Sequence, residues 1–417
     1  MRRMVTVELT HRGEYFGRLG PFGAAGPYWQ STEGVLAGVD VPAVVLRLVD
    51  GRGADGGPCG GEVRYHVEAL ERPDGREARP MDAGTAAVLG PAEGRSSWAR
   101  PDGLREALAW AEARVDGAGP VRQVRTWNLS GLFRLPAGTS GGSASGSPDG
   151  FPGGAWLKTT TPAFNAAEGE VIALLGSVDA TLVPTVIAAD AAAGRLLLEA
   201  VPGEDCWGPS ADTVAEVVPR LVAAQAALAA DGRAASAGLR DRTPLALLGQ
   251  LEVLLDRLPQ ETDLSAQERV EVARLVAELP DLIEELEECG LPVTLIHGDF
   301  HPGNWRAEAG GPAVVLDYAD ACLGHPALDG LRAREFLTPD AWSHHARVWS
   351  EAWRAHAPGS RPGRALELAE PLHHLAYALR YQEFLDHIET SERPYHEGDP
   401  AAELRAALAC GPARRAS

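Results

Sequence analysis

The chain has 417 residues, of which 45% are hydrophobic and 23% are charged, and its formal net charge is -20. This length allows two or three domains with cores of their own. The strong negative charge argues against a nucleic-acid backbone or an anionic membrane as the main partner, because both would be repelled.

Two further features indicate a cytoplasmic protein. No run of apolar residues has the length of a membrane span, and the N-terminus lacks the apolar core of a signal peptide. The cysteines are odd in number, widely spaced and without a CxxC pair, which favours reduced thiols over disulfides: Cys59, Cys206, Cys289, Cys322 and Cys410.

Residues 1–120 are predicted to form a small α/β region of unknown role. Strand-like runs "MVTVEL", "PAVVLRLVD" and "GEVRYHVEAL" alternate with Gly, Pro and Asp turns, and "WARPDGLREALAWAEARVDG" has helical spacing. The sequence "GAGP" at 117–120 marks the boundary. No catalytic constellation is evident in this region.

Residues 121–205 are predicted to form a small, β-rich lobe. A hairpin around the turn Asn128–Gly131 is followed by a Gly/Ser-rich loop at 138–154 and by the strand "AWLKTTT". A helix then carries Glu168 and Leu175 on one face, and "VPTVIAAD" and "GRLLLEAVPG" supply two more strands. Five strands with one helix after the third are suited to a nucleotide clamp.

Residues 206–417 are predicted to be mostly helical. Apolar stripes at helical spacing run through this segment, and a capping box from Ser265 to Glu268 marks one helix start. The short strand "LPVTLI" interrupts the helices and leads into "HGDFHPGNW".

The motif at 297–317 indicates phosphoryl transfer. An apolar strand ends at His297, a loop carries Asp299 and Asn304, and a second apolar strand ends at Asp317. Phosphoryl transfer requires a carboxylate facing the attacking hydroxyl, oxygen ligands for Mg²⁺ and a cation on the phosphates. Asp299 fits the first requirement, and Asn304 and Asp317 fit the second.

Lys158 fits the third requirement, because it is the only lysine beside 37 arginines. A composition that uses arginine for general cationic positions leaves Lys158 as a position where a compact point charge is needed. Glu168 is predicted to hold this lysine. Glu170 is the alternative partner, although its spacing to the apolar stripe is poorer.

"HGDFHPGN" together with "VVLDYAD" resembles the aminoglycoside phosphotransferase family over residues 121–417. The resemblance implies an α+β, bilobal protein kinase-like fold, with a β-rich N-lobe at 121–205 and a helical C-lobe at 206–417. It implies that Asp299 is the catalytic base or orients the hydroxyl, and that Asn304 and Asp317 bind Mg²⁺.

The same resemblance implies the nucleotide contacts. Lys158 would pair with Glu168, the segment from Glu199 to Val201 would hydrogen-bond the adenine, and the loop containing Ser130 would cover the phosphates. The co-substrate is expected to be ATP or GTP, since no Gly-rich signature decides between them.

The acceptor is expected to be a small hydroxyl-bearing molecule bound near the C-terminal helices. Candidate residues in "HHLAYALRYQEFLDHIETSERPYHEGD" are Tyr381, Gln382, Glu383, Asp386 and Glu389. Their carboxylates suit the ammonium groups of an aminoglycoside or amino sugar. Tyr and Gln suit equally the neutral hydroxyls of a sugar or a nucleoside-type antibiotic, and a plain acidic helix surface is the alternative.

Other interpretations of the same loop remain open. His297, Asp299 and His301 form H-x-D-x-H, which could bind zinc in a metal-dependent hydrolase, although this leaves Lys158 and Asp317 unexplained. A pseudokinase that binds ligands without turnover is a second alternative.

The remaining polar residues near the motif are expected to be structural. His297 is predicted to brace the loop, and His301 is predicted either to pack or to orient the loop. His325 and Asp329 are predicted to anchor the following helix to the loop. Asp320 is predicted to cap a helix, with a second metal ligand as the alternative.

Overall fold

The computed structural model describes residues 3–54, 56–115, 121–136, 154–165 and 167–410. Most of the Gly/Ser-rich segment predicted at 138–154 lies outside these ranges. The chain forms two compact units. The first comprises Met1–Phe164, Val186–Ala200 and Phe384–Glu397, and the second comprises Asn165–Thr185, Val201–Glu383 and Gly398–Ser417. The domain boundaries expected at 120 and 205 stay predictions.

The first unit begins with a four-stranded sheet. Its strands are β1 (Arg3–His11), β2 (Glu14–Ala24), β3 (Ala43–Arg52) and β4 (Gly61–Ala69), in the order β2-β1-β4-β3. β1 and β4 are parallel, and the other pairs are antiparallel. Alternate residues of β1, such as Val5, Val7 and Leu9, enter the core, as the two-residue period of a strand requires.

Three helices accompany this sheet: α1 (Glu33–Leu36), α2 (Ala83–Leu89) and α3 (Pro101–Glu112). Asp82 caps α2 by accepting a hydrogen bond from the Thr85 amide. α3 has buried Leu104 and Leu108 on one face, and these join a core that includes Phe133 and Leu157 of the next sheet.

The second sheet of this unit has five strands: β5 (Arg122–Thr126), β6 (Ser130–Leu135), β7 (Ala155–Thr160), β8 (Val186–Asp190) and β9 (Arg195–Glu199). Their order is β5-β6-β7-β9-β8, and every neighbouring pair is antiparallel. The predicted hairpin is present, but residues 127–129 connect its strands. Ser130 and Gly131 already belong to β6, where they pair with residues of β7 and β5.

A segment distant in sequence completes the first unit. Residues Thr390–Tyr395 form a 3₁₀ helix whose Glu392 accepts a hydrogen bond from the Leu48 amide of β3 at 2.6 Å. The Ser391 hydroxyl donates to the Leu48 carbonyl at 2.9 Å. Arg47 lies within 3.3 Å of Glu389. This segment is therefore tied to the N-terminal sheet by buried polar contacts.

The second unit is mostly helical, as predicted. Its helices are α4 (Glu168–Gly176), α5 (Ala211–Ala230), α6 (Arg233–Ser236), α7 (Pro244–Glu261), α8 (Ala266–Glu287), α9 (Ala327–Arg332), α10 (Pro339–His356), α11 (Pro362–His387, whose last turn belongs to the first unit) and α12 (Asp399–Ala409). The predicted capping box of Ser265 and Glu268 begins α8.

Two small three-stranded sheets carry the functional loops of this unit. One pairs β10 (Glu204–Asp205), β13 (Trp305–Ala307) and β14 (Val314–Val315) in that order. The other pairs β11 (Asp241–Arg242), β15 (Cys322–Gly324) and β12 (Thr294–Ile296) in that order.

Within the described residues, α5 is long and apolar enough, by length and composition, to cross a membrane. Its apolar side chains, including Val214, Val218 and Leu221, are buried inside the second unit. Core helices of soluble proteins pass the same test, so this helix is weak evidence for a membrane span.

Candidate functional site

The loop that follows β12 is held in place by a buried carboxylate of α9. Asp329 accepts hydrogen bonds from the amides of His297 at 2.7 Å and Gly298 at 2.9 Å, and from the Gln225 side chain at 2.8 Å. Gly298 has φ 81°, and a Cβ there would lie 2.3 Å from the Asp320 carbonyl oxygen. The predicted anchoring role of Asp329 is confirmed, and glycine at 298 is required.

His297 braces this loop through its backbone contacts. Its Nδ1 accepts from the Asp299 amide at 3.1 Å, and its Nε2 lies 3.0 Å from the Leu316 carbonyl oxygen, to which it donates. Both ring nitrogens are thus used by the backbone. This confirms the structural role expected for His297 and removes one ligand from the zinc interpretation.

Asp299 is the half-buried acid of the loop. Arg332 Nε donates to Asp299 Oδ1 at 2.7 Å, Asn304 Nδ2 donates to Oδ2 at 3.1 Å, and His301 Nε2 lies 3.4 Å from Oδ2. Burial acts to raise the pKa of the Asp299 carboxyl, but the charge of Arg332 and the hydrogen bond from His301 outweigh it and hold that pKa well below its usual range. The carboxylate is therefore ionised.

Asn304 and Asp317 lie at one end of the hairpin formed by β13 and β14. The Leu316 amide donates to the Asn304 carbonyl oxygen at 2.8 Å, next to the pair Trp305 and Val315. The side-chain nitrogen of Asn304 donates to Asp299. The side-chain oxygen Oδ1 makes no hydrogen bond within the described ranges and is left for another partner.

Asp317 follows β14 with a left-handed backbone, φ 66°, and its side chain is exposed. Aspartate is among the few residues that tolerate this conformation. An amide oxygen and an exposed carboxylate are the kind of ligands that Mg²⁺ prefers, so the donors present fit this ion.

Glu168 contacts the backbone next to Asp317. Its side chain is buried, and Oε1 accepts a hydrogen bond from the Tyr318 amide at 2.9 Å. Lys158 belongs to the first unit, where it is 8% exposed on β7 and faces Leu132 of β6 and Leu196 of β9. The pairing of Lys158 with Glu168 stays a prediction.

The remaining predicted nucleotide residues are distributed along the chain. Ser130 opens β6, and its Oγ accepts from Trp127 Nε1 at 3.0 Å. Glu199 ends β9 and is exposed, while the Val201 carbonyl accepts from Arg306 Nε at 2.9 Å. The chain passes from the first unit to the second between residues 200 and 201, within the segment for which the resemblance implies hydrogen bonds to the adenine.

The structure separates the acceptor candidates. Tyr381 interacts electrostatically with Arg332 and Asp299, so it is close to the catalytic loop. Gln382 is buried in α11. Glu383 Oε2 is approached by three arginine nitrogens, of Arg240 at 3.2 Å, Arg242 at 2.9 Å and Arg380 at 2.6 Å.

The other two acceptor candidates belong to the first unit. Asp386 is exposed, whereas Glu389 is buried and bound by Arg95 at 2.8 Å. Asp320 does not cap a helix, since α9 begins only at Ala327, and its carboxylate accepts from Arg380 Nε at 2.6 Å. The cap predicted at Asp320 is therefore wrong.

Two residues of the site are missed by sequence reasoning. Arg332 places its guanidinium 4.4 Å from the centre of the Tyr377 ring and 4.9 Å from that of Phe336. The Tyr377 hydroxyl donates to the Gly298 carbonyl. Arg332 comes one turn after the anchoring Asp329, but this spacing alone gives no sign of a contact with Asp299.

The fold is that of the protein kinase-like class. A choline kinase from Cryptosporidium parvum matches with a TM-score of 0.52 at 11% identity, covering 74% of this chain and 95% of the other. A choline kinase from Streptococcus pneumoniae matches with a TM-score of 0.50 at 13% identity, covering 73% and 99%. A macrolide 2'-phosphotransferase from Brachybacterium faecium matches at 20% identity with a TM-score of 0.45, covering 74% and 98%.

Within this class the chain belongs to the phosphotransferase enzyme family, whose sequence model matches residues 156–366. No curated protein matches it by sequence. Family membership makes the chain a phosphotransferase of the small-molecule kinase class, and it confirms the resemblance inferred from "HGDFHPGN" and "VVLDYAD". Residues 1–120 lie outside the matched segment.

Proposed function

We propose that the protein transfers the terminal phosphoryl group of ATP or GTP to a hydroxyl group of a small molecule in the cytoplasm, with Mg²⁺. One observation carries this proposal. Asp299 is an ionised, half-buried carboxylate that shares a hydrogen bond with Asn304, whose side-chain oxygen remains available for a metal ion. A carboxylate for the hydroxyl beside oxygen ligands for Mg²⁺ is what phosphoryl transfer needs.

We assign the roles within this reaction as follows. Asp299 orients the acceptor hydroxyl and accepts its proton, and Asn304 and Asp317 would hold Mg²⁺, which supplies charge neutralisation at the phosphates. Lys158 binds the nucleotide phosphates, an assignment supported by the family pattern and by its place in β7. Ser130, Glu199 and Val201 contribute to nucleotide binding.

The charges around Asp299 favour a neutral acceptor over a polycation. Glu383 of α11 and Asp320 are two acids that an ammonium group could meet, and each is bound by Arg380. An ammonium group would have to displace this arginine, at the cost of leaving it buried and unpaired. We therefore propose a neutral, hydroxyl-rich acceptor, such as a sugar or a nucleoside-type antibiotic, with Tyr381 among its contacts.

The test is nucleotide-dependent phosphorylation across a panel of neutral sugars, nucleoside antibiotics, amino sugars and aminoglycosides, with ATP and GTP compared. Asp299→Asn should lower kcat by on the order of 10²-fold or more while nucleotide still binds. Asp340→Asn, an exposed carboxylate at the start of α10, is the matched control and should leave kcat unchanged.

Magnesium is tested separately. Asn304→Ala and Asp317→Ala should each raise the Mg²⁺ concentration needed for half-maximal activity, with the larger effect at Asp317 because it supplies a full charge. Turnover that survives removal of divalent ions would overturn the metal assignment. Nucleotide binding without phosphorylation of any panel member would instead favour the pseudokinase alternative.

A further inference from the structure

The first unit contains a basic pocket outside the family-matched segment. Its volume is about 570 Å³, within the range of small-molecule sites. Charged and polar side chains that line it are Thr10, Arg12, His66, Arg95, Arg100 and Arg105, together with Asp102. Four arginines in one pocket stand out in a chain whose net charge is -20.

Three of these arginines have unused donors. Arg12 is exposed and makes no side-chain hydrogen bond within the described residues. Arg105 uses Nη2 for the Glu68 carboxylate at 2.6 Å and the Ala69 carbonyl at 3.1 Å, which leaves its buried Nε without a partner. Arg100 uses only Nη2, which donates to the Arg95 carbonyl at 2.9 Å.

Arg95 differs from the other three because its guanidinium is committed. Its Nε and Nη2 donate to Glu389 at 3.0 and 2.8 Å, and its Nη1 donates to the Gly90 carbonyl at 2.6 Å. Arg95 therefore offers the pocket no donor, and its charge is compensated by Glu389.

His66 supplies a second, independent sign of a ligand. It is 4% exposed, and its Nδ1 is buried without a partner in the part of the chain that the structure describes. Its Nε2 lies 2.8 Å from Thr10 Oγ1. Buried polar atoms of this kind are nearly always hydrogen-bonded, so a partner for this nitrogen is missing.

The protonation of His66 indicates what that partner must offer. Thr10 donates its only hydroxyl hydrogen to Glu68 at 2.7 Å, so it accepts from His66 Nε2 and leaves Nδ1 as an acceptor. Burial, reinforced by the charges of Arg47 and Arg95, lowers the pKa of His66 to about 3, so the ring is neutral. The missing partner is thus a donor, such as a hydroxyl group.

The end of α3 adds to the positive character of the pocket. Pro101 and Asp102 begin this 12-residue helix, and its N-cap residue Arg100 provides no side-chain cap. The amides of a helix N-terminus favour an anion. Two acids, Asp102 and Glu68, reduce the positive charge of the pocket. Asp102 is exposed, and Glu68 is compensated by Thr10, by the Arg12 amide at 2.8 Å and by Arg105.

We propose that this pocket binds a small hydroxylated molecule that carries a phosphate group. Arg12, Arg100 and Arg105 contact the phosphate, because guanidinium groups match its geometry and charge. A hydroxyl of the ligand donates to His66. The lining residues all belong to the first unit, and the site gives residues 1–112 a ligand-binding role.

The experiment is calorimetry on the full chain, without nucleotide, using glucose 6-phosphate, inorganic phosphate and glucose as probes. Glucose 6-phosphate should bind saturably and more tightly than inorganic phosphate, and glucose should not bind. The double variant Arg12→Ala/Arg100→Ala should weaken binding roughly tenfold or more, since it removes two charge-assisted contacts. Both side chains are exposed, so folding should be retained.

The matched control is Arg72→Ala/Arg76→Ala, which removes the same charge from ion pairs with Glu14 and Asp40 outside the pocket. Binding in this control should equal that of the unaltered chain. Three results would overturn the proposal: no saturable binding of the phosphorylated probe, equal affinity for glucose, or binding that survives Arg12→Ala/Arg100→Ala.

Discussion

Arg332 controls the chemical state of the proposed catalytic carboxylate. It donates to Asp299 and to Glu335 at 2.9 Å, and it stacks on two aromatic rings, so its guanidinium has a single position. Its charge holds the pKa of Asp299 low, whereas burial alone would raise it. A carboxylate that stays ionised can accept the acceptor's hydrogen bond across the working pH range.

Replacing Arg332 should therefore change the pH dependence of turnover. In Arg332→Met the pKa of Asp299 rises, because burial is no longer opposed by that charge, and the acid limb of kcat should move upward by about one pH unit or more. Arg332→Lys should restore part of the difference. Arg334→Met, two residues on and paired with Glu370 instead, is the control. A uniform fall in kcat with no shift of the limb would indicate a purely structural role.

Lys158 poses a different question, namely why a chain with 37 arginines keeps one lysine. If its charge were interchangeable with the others, Lys158→Arg would be neutral. If it serves as a compact charge on the phosphates, the planar fork should misplace them. We expect Lys158→Arg to stay folded yet to bind nucleotide less tightly and turn over more slowly, as measured by calorimetry and steady-state kinetics. Unchanged affinity and turnover would contradict the phosphate assignment.

At the scale of elements, α4 supports the loop that presents Asp317. The left-handed backbone of Asp317 costs roughly 1–2 kcal/mol and requires support from its neighbours. His297 holds the Leu316 carbonyl on one side, and Glu168 holds the Tyr318 amide on the other. The metal ligand is thus fixed by contacts on both flanking residues.

Removing the hydrogen bond between Glu168 and the Tyr318 amide should leave Asp317 less firmly positioned for Mg²⁺. Glu168→Ala leaves the buried Tyr318 amide without its acceptor, so the Mg²⁺ concentration for half-maximal activity should rise several-fold, and Glu168→Gln should have a smaller effect. Glu170→Ala, an exposed residue of the same helical turn, is the control. Equal effects of Glu168→Ala and Glu170→Ala would show that the position of the carboxylate does not matter.

The catalytic loop was predictable because its residues are local in the sequence. Asp299 and Asn304 are five residues apart, and their spacing alone indicates a shared site. The contacts that tune them are distant: Arg332 is 33 residues from Asp299, and Glu168 is 150 residues from Tyr318. No periodic pattern encodes such pairs, so the sequence does not indicate the contact of Arg332 with Asp299.

The difference between local and distant contacts also explains where the predicted secondary structure differs from the observed one. β2 was not predicted because Gly17 and Gly20, both with positive φ, interrupt the alternation, and its register with β1 shifts twice. Asp320 has the composition of a helix cap, but its partner is Arg380, 60 residues later. In each case the local sequence preference is overridden by a contact that forms only in the folded chain.

At the scale of the whole molecule, the first unit combines residues from both ends of the chain. Glu392, near the C-terminus, is fully buried against β3. Its Oε1 accepts from the Leu48 amide, and its Oε2 has no partner in the described ranges. Burial, followed by the neighbouring charge of Glu389, raises the pKa of Glu392 to about 8.

This pKa predicts how the stability of the protein depends on pH. Between the ordinary glutamate pKa and about 8, unfolding releases the proton of Glu392, so the free energy of unfolding falls as the pH rises and levels off above that range. Glu392→Gln keeps the acceptor for Leu48 but cannot ionise. Its Tm should exceed that of the unaltered chain by roughly 2 °C or more at pH 8 and by little at pH 5. Glu397→Gln, an exposed residue of the same segment, should show no such difference. A Glu392→Gln advantage of the same size at both pH values would mean that the buried acid is ionised in the folded protein.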